Sequence, residues 1–365
     1  MNCCEDCFLS KVLKDLIKGY DKTGKCDFCG SSDVHIYNLE EDEGLDEKFN
    51  GLLSVFRKKE ELQQDDFPEY ELISIKDNFE KEWNIFNRSF DSHMIHKFLD
   101  ELLKNRYPDK ISLLTTQVGI PQWMVKKYLE ENSVLKGYDW GGFVNHIKHN
   151  NRFHNNHVNY VVLKEYLERL GKVIDNRFLY RGRISNEEPL TTTKMGAPPS
   201  KYATAGRANS EGISHLYLAD EINTVINEIR PSIGDVVYIG EFSVPESTEI
   251  KVIDFTKLSE LDVFEFEDPT RFSVNIKIFK EMGKAIAKPV RSGDSKLDYL
   301  PTQFIVDFIK SLNDTENAGY HGIMFESTVN PNGVNVMMFD PNIIKCTNVT
   351  KKAITALQYY HSNSR

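Results

Sequence analysis

The chain has 365 residues, 40% hydrophobic and 27% charged, with a formal net charge of −10. That length reads as about two or three domains with ample material for a core. No apolar run approaches the ~18 residues of a membrane span, and an acidic balance with mixed charges argues against broad nucleic-acid binding, which feeds on basic surface. The segment Met1–Cys7 lacks the basic and apolar regions of a signal peptide, so the expectation is an intracellular, cytoplasmic protein without a membrane partner.

Five of the six cysteines fall in the first 29 residues. Cys4-x2-Cys7 and Cys26-x2-Cys29 each offer two thiolates from one turn, and Gly30 suits the tight backbone after the second pair. Four thiolates satisfy tetrahedral zinc with no open position, so residues 1–38 are expected to form a structural zinc module. Between the pairs, Phe8, Leu9, Val12, Leu13, Leu16 and Ile17 make the apolar face of a short helix. Cys3 is the rival of Cys4 but breaks the two-residue spacing; Cys346 is read as core.

The acidic run Glu40–Gly44 reads as a solvated linker. Residues 39–172 read as an all-helical domain. Met94, Ile95, Phe98, Leu99, Leu102 and Leu103 form one apolar helix face, with Asp91 or Ser92 as its cap. Val161, Val162, Tyr166, Leu167 and Leu170 form another, which Gly171 can end. Arg152 and His157 are spaced R-x4-H, and so are Arg88 and His93. About one such match is expected by chance, so the spacing carries no information here. The histidines at 149, 154 and 157 sit among asparagines and read as a polar turn.

From 173 to 365 the texture is mixed α+β. Strands are expected at Arg177–Tyr180, Val236–Phe242, Ile250–Phe255 and Val334–Phe339. Turns are expected at 196–200 and 330–333, and helices at about 220–229 and 302–312. Within this region Arg207 leaves a glycine turn, Tyr217 sits in a short apolar strand, and Glu228 sits on the helix that follows. A cation, an aromatic face and a carboxylate are what a site needs to grip a dinucleotide and break its glycosidic bond. The glycines from 196 to 212 form no G-x-G-x-x-G after a strand, so a Rossmann fold is not supported.

Several blocks from Phe178 to Asp340 resemble a RES domain in order. They are Tyr180-Arg181-Gly182-Arg183, Met195 to Pro199, Gly206-Arg207-Ala208-Asn209, Leu216 to Ala219, Thr224 to Glu228, Tyr299 to Gln303, and Gly322 to Ser327, closed by Gly333-Val334-Asn335. One departure is Ala208, where the family commonly has tryptophan. The resemblance implies an ADP-ribosyltransferase-like fold and a toxin-like enzyme that splits NAD+ at the nicotinamide bond by phosphorolysis or hydrolysis, so that NAD+ is a substrate. The zinc and helical parts resemble the HEPN-like extension of some RES proteins. Alternatives are an ADP-ribosyltransferase acting on protein or nucleic acid, and a HEPN-type RNA-binding protein or RNase. The other partners left open are a separate antitoxin, free phosphate and a second copy bound through the helical part, as a homo-oligomer.

The chemistry of the residues agrees with that resemblance. N-glycosidic cleavage passes through an oxocarbenium-like ribose, which Glu228 can stabilise while bonding ribose hydroxyls. Arg207 and Arg181 can hold the diphosphate, because a guanidinium fork matches phosphate oxygens. Tyr217 offers a flat face to nicotinamide or ribose, and Ser327 a hydroxyl to the carboxamide or nucleophile. Plainer readings stay open: Glu228 paired with Arg230, Arg183 in place of Arg181, and His215 as a structural residue.

Overall fold

A computed structural model describes residues 1–62, 67–175, 177–246, 248–289, 295–316 and 319–358. They divide into two units that alternate along the chain. The first holds Met1–Asp139, His157–Val162 and Ser259–Lys280; the second holds Trp140–Asn156, Leu163–Leu258 and Glu281–Arg365.

In the first unit, strands Asn2–Cys4, Val34–Asn38 and Thr23–Gly24 form an antiparallel sheet in that order. The helix expected between the cysteine pairs is Lys11–Lys18, which buries Leu13 and Ile17. Its cap is Ser10, whose hydroxyl accepts from Leu13 N at 3.1 Å. In the acidic run that follows, Glu40, Glu41 and Glu43 are exposed, as expected of a solvated segment, and Asp42 is the exception. Asp42 is buried and takes hydrogen bonds from Lys22 Nζ at 2.5 Å and Asn38 N at 2.9 Å. A carboxylate taken out of water needs such partners.

The stretch expected to be all-helical is not. Its helices include Leu45–Leu53, Ser92–Leu103 and Lys126–Asn132, and between them lies a three-stranded patch of Arg57–Lys58, Gln117–Gly119 and Ile73–Ser74. Pro108 and Pro121 each open a 3₁₀ turn, since proline lacks the N–H that a continuing helix requires. Helix Ser92–Leu103 is as expected: Asp91 caps it, accepting from His93 N and Met94 N, both at 2.9 Å, and Phe98 and its apolar neighbours are buried. Phe8, Phe49, Phe86, Phe90 and Phe98 pack as one aromatic cluster. The late segment Ser259–Lys280 completes this unit. Phe264 packs on Phe49, Phe272 packs on Trp83, and buried Asn275 accepts from Val134 N at 2.7 Å.

The second unit is built on eight strands: β1 (Gly171–Val173), β2 (Phe178–Ile184), β3 (Leu216–Ala219), β4 (Val236–Ser243), β5 (Lys251–Asp254), β6 (Tyr320–Glu326), β7 (Val334–Met338) and β8 (Lys345–Ala353). Their order is β8-β4-β2-β3-β7-β6-β5-β1, antiparallel except for β5 beside β6. Gly171, expected to end the preceding helix, instead begins β1. That helix, Tyr160–Arg169, buries Val162, Tyr166 and Leu167 but leaves Val161 exposed. Helix α1 (Ile222–Ile229) stops before Pro231, and α3 (Leu300–Glu316) covers the expected 302–312; α2 (Pro269–Ala287) lies between them in sequence.

One face of the sheet buries Leu179, Leu216, Leu218, Phe242, Val336 and Met338. On the other, Val225, Ile226 and Ile229 of α1 pack over Val237 and Ile239. Strands β2 and β3 are joined by a single pair, Tyr180↔Ala219. Beyond it they lose each other's hydrogen bonds, and an opening forms there. Cys346 on β8 is half-buried at the margin of the core. No helix among the described residues is long and apolar enough to cross a membrane.

Candidate functional site

Two groups of side chains have the makings of a site. The first is the thiol cluster. The Sγ atoms of Cys4, Cys7, Cys26 and Cys29 lie within 4.8 Å of one another. Cys4–Cys7, Cys4–Cys29 and Cys7–Cys26 are 3.7, 3.5 and 3.6 Å apart. A tetrahedron with Zn–S bonds of about 2.3 Å has edges of about 3.8 Å, so the four thiols fit zinc. Gly30 takes φ 78°, as expected after the second pair, and Cys29 N donates to Cys26 Sγ at 3.5 Å. Cys3 is buried but stands outside the cluster. All four positions are protein thiols, which leaves no place for a substrate.

The second group lines a cavity of about 600 Å³ in the second unit. Its wall includes Tyr180, Arg181 and Gly182 from β2, Gly206 to Asn209 from the following turn, and Tyr217 to Ala219 from β3. Glu228 to Arg230 come from the end of α1, Asn335 from β7, and Ile286 to Pro289 from the end of α2 and the residues after it. Thus Arg181, Arg207, Tyr217 and Glu228 border one space. Ser327 joins them through its hydroxyl, which donates to Glu228 Oε1 at 2.8 Å.

Each of these side chains is held by its neighbours. The Gly206–Asn209 turn is pinned by the start of α3: Thr302 Oγ1 donates to Arg207 O at 2.6 Å, and Gln303 Nε2 donates to Gly206 O at 2.8 Å and Asn209 O at 2.9 Å. Arg207 is buried, lies over the Tyr299 ring at 5.2 Å, and donates from Nη2 to Pro289 O at 3.3 Å. Tyr217 donates its hydroxyl to Asn209 Oδ1 at 2.6 Å, and burial pushes its phenol pKa up, so it stays a neutral donor. Burial and then the nearby Arg183 charge push Arg181 down to about 10, which leaves it cationic at neutral pH. Arg181 Nη1 has no hydrogen-bond partner among the described residues. Such a group calls for an anion. Arg183 instead donates to Gly196 O at 2.9 Å, tying down a loop.

Glu228 is held by Ser327 and Asn335, not by Arg230. Asn335 Nδ2 donates to the same Oε1 at 2.7 Å. Arg230 follows in a left-handed conformation at φ 49°. His215 also lines the cavity; it is buried, and burial followed by the Lys310 charge pushes it down to about 4, so it is neutral at neutral pH. Ala208 is buried in the wall. Asn209, Thr302, Gln303 and Asn335 carry no sequence signal of their roles, because each acts on a partner set by the fold. Arg152 and His154, of the polar stretch after helix Trp140–His149, are exposed.

The arrangement offers guanidinium donors for phosphate oxygens, a phenol face, and a carboxylate with one oxygen already engaged. Chemically, such a set can bind anionic oxygens and stabilise a positive charge that develops beside the carboxylate. A family model described as "RES domain" matches residues 179–359, which takes in β2 from its second residue, β3 through β8, and every cavity residue named above. No curated protein and no solved structure matches the chain.

Proposed function

Residues 179–359 make this chain a member of the RES domain family, and from that premise we propose that it is an enzyme that consumes NAD+ by breaking the bond between nicotinamide and ribose. RES domains are associated with NAD+-degrading toxins. The observation that carries the reading is the gathering of Arg181, Arg207, Tyr217 and Glu228 around one cavity of about 600 Å³. That size is in the range of small-molecule sites.

In this reading Arg207 and Arg181 grip the diphosphate. Tyr217 presents its ring to the nicotinamide ribose, and its hydroxyl is occupied by Asn209. The C1″–N1 bond breaks with its electron pair going to the pyridinium nitrogen, so nicotinamide leaves neutral and needs no proton donor. The sugar is left cationic, and the Glu228 carboxylate stabilises that charge as it develops. Water then adds at C1″ and loses a proton, giving ADP-ribose; phosphate in its place gives ADP-ribose 1″-phosphate. Ser327 holds the carboxylate oxygen that faces away from this exchange. The zinc module is structural and takes no part in the chemistry.

Glu228→Gln keeps the size of the side chain and one oxygen to accept from Ser327 and Asn335, but removes the charge and turns the other oxygen into a donor. Nicotinamide release from NAD+ should fall about 100-fold or more, while NAD+ affinity stays within a few-fold. Unchanged turnover in Glu228→Gln would remove that residue from the chemistry. Transfer of labelled ADP-ribose to a protein or nucleic acid, in place of free product, would identify a transferase.

A further inference from the structure

The hairpin between β6 and β7 does more than connect two strands. Its residues are tied to one face of α1 and the approach to it. Asp220 Oδ1 accepts from Val334 N at 3.0 Å, Asn330 Nδ2 donates to Thr224 Oγ1 at 2.9 Å, and Ser327 and Asn335 both donate to Glu228 Oε1. Thr224 and Glu228 are one turn apart on α1 and share a face, and Asp220 lies just before its extended N-cap, Glu221. Gly333 is part of the fit: a Cβ there would lie 2.4 Å from Thr224 Oγ1. Within the sheet, Asn335 stands opposite Ala219 on one side and Phe325 on the other, so its backbone is fixed by both neighbours.

We infer that Asn335 is a positioning residue for the reaction, and that with Ser327 it dedicates Oε1 of Glu228 to the protein so that Oε2 alone meets the substrate. This rests on the reading of the cavity as an NAD+ site. Oε1 receives two hydrogen bonds, enough to use both its lone pairs. Oε2 has no hydrogen-bond partner among the described residues. The carboxylate is therefore held in one rotamer before substrate arrives, which is the preorganisation that charge stabilisation in a transition state requires. Hydrogen bonds to a charged group are among the stronger ones. A single donor cannot set the carboxylate plane; two donors from different elements can.

Two substitutions separate this role from a merely structural one. Asn335→Leu keeps the volume and removes the donor. Asn335→Asp places a second carboxyl where the donor was. Two carboxyls at that distance share a proton. At low pH Asn335→Asp retains an O–H to donate to Oε1; as pH rises that proton is lost and the two anions repel. Glu228 is the only acid lining the cavity among the described residues. The other titratable groups there are Arg181, Arg207, Arg230, Lys288, His215 and the tyrosines, and Asp220 is engaged by Val334 N. The cations favour the doubly ionised form and set where the loss occurs, not its direction.

The expected result is a kcat about 10- to 100-fold lower in Asn335→Leu, with KM within threefold and a pH profile parallel to that of the parent protein. Asn335→Asp should approach the parent rate near pH 5 and lose at least tenfold relative to it by pH 8. Leu and Asp variants that both keep the parent kcat, or that fall by equal factors at every pH, would overturn the inference. If the parent protein releases no nicotinamide, the reading of the site fails, and the crystal structure of Asn335→Leu decides this inference instead. A Glu228 carboxylate swung away from Ser327 supports it, and one that has not moved overturns it.

Discussion

Helix α1 carries Glu228, and its distance from the sheet is set by an absent side chain. Gly182 on β2 faces α1 so closely that a Cβ would lie 2.5 Å from Val225 Cγ1 and 2.9 Å from Ile229 Cδ1. Carbon atoms in contact sit about 3.5–4.0 Å apart. Both neighbours are β-branched and on a helix, where χ1 has little freedom, so relief must come from the helix. Gly182→Ala should therefore push α1 outward by about 1 Å. Overpacking of this kind costs about 1–3 kcal/mol. For a unit of this size that is a drop in Tm of about 2–12 °C. The same displacement moves Glu228, and a misplacement of about 1 Å at a reacting group can cost about 100-fold in rate. The assay is paired: Tm by calorimetry and nicotinamide release, on protein whose circular dichroism matches the parent. A Gly182→Ala protein with parental Tm and parental turnover would refute the claim that this contact positions the acid.

Two further outcomes follow from other parts of the molecule. The purified chain should carry close to one zinc by elemental analysis, and Cys26→Ser should lose it and melt at lower temperature, because the binding free energy of such sites is folding free energy. A full complement of zinc in Cys26→Ser would exclude the four-thiol centre. His215 should make the fold acid-sensitive. Its pKa falls from 6.5 to about 4 on folding, mainly through burial, so the unfolded chain binds the proton more readily. Stability is fully present above about pH 6.5 and is lost as pH falls toward 4, by up to about 3 kcal/mol. Denaturant titrations of the parent and His215→Phe should diverge across that window. Parallel curves would contradict it.

What the sequence reveals depends on how local the cause is. The cysteine pairs are legible because two thiols three residues apart on one turn meet whatever else the chain does. Strands β2, β4, β5 and β7 are legible from β-rich runs between turns, and the end of α1 from Pro231. Helix α2 is not. From Phe272 to Ile278 apolar and polar residues alternate, the period of a strand, and Asn275 is buried by partners at Asn132 and Val134. The sheet of Arg57–Lys58, Gln117–Gly119 and Ile73–Ser74 escapes for a similar reason, since its strands of two or three residues exist only through pairing with distant segments. In the cavity, Arg207, Tyr217 and Glu228 stand out as residue types in sequence order. Asn335, Gln303 and Gly182 do not, because each owes its meaning to a neighbour that only the fold supplies: Asn335 to Glu228, more than a hundred residues back; Gln303 to the turn at Gly206; Gly182 to Val225.

The most direct test is a mass balance. NAD+ incubated with the purified chain, with and without phosphate, should disappear as nicotinamide appears in equal amount. The partner product should be ADP-ribose in one case and its 1″-phosphate in the other if phosphate is the acceptor. NAD+ recovered intact under both conditions, with the protein folded, would contradict the account.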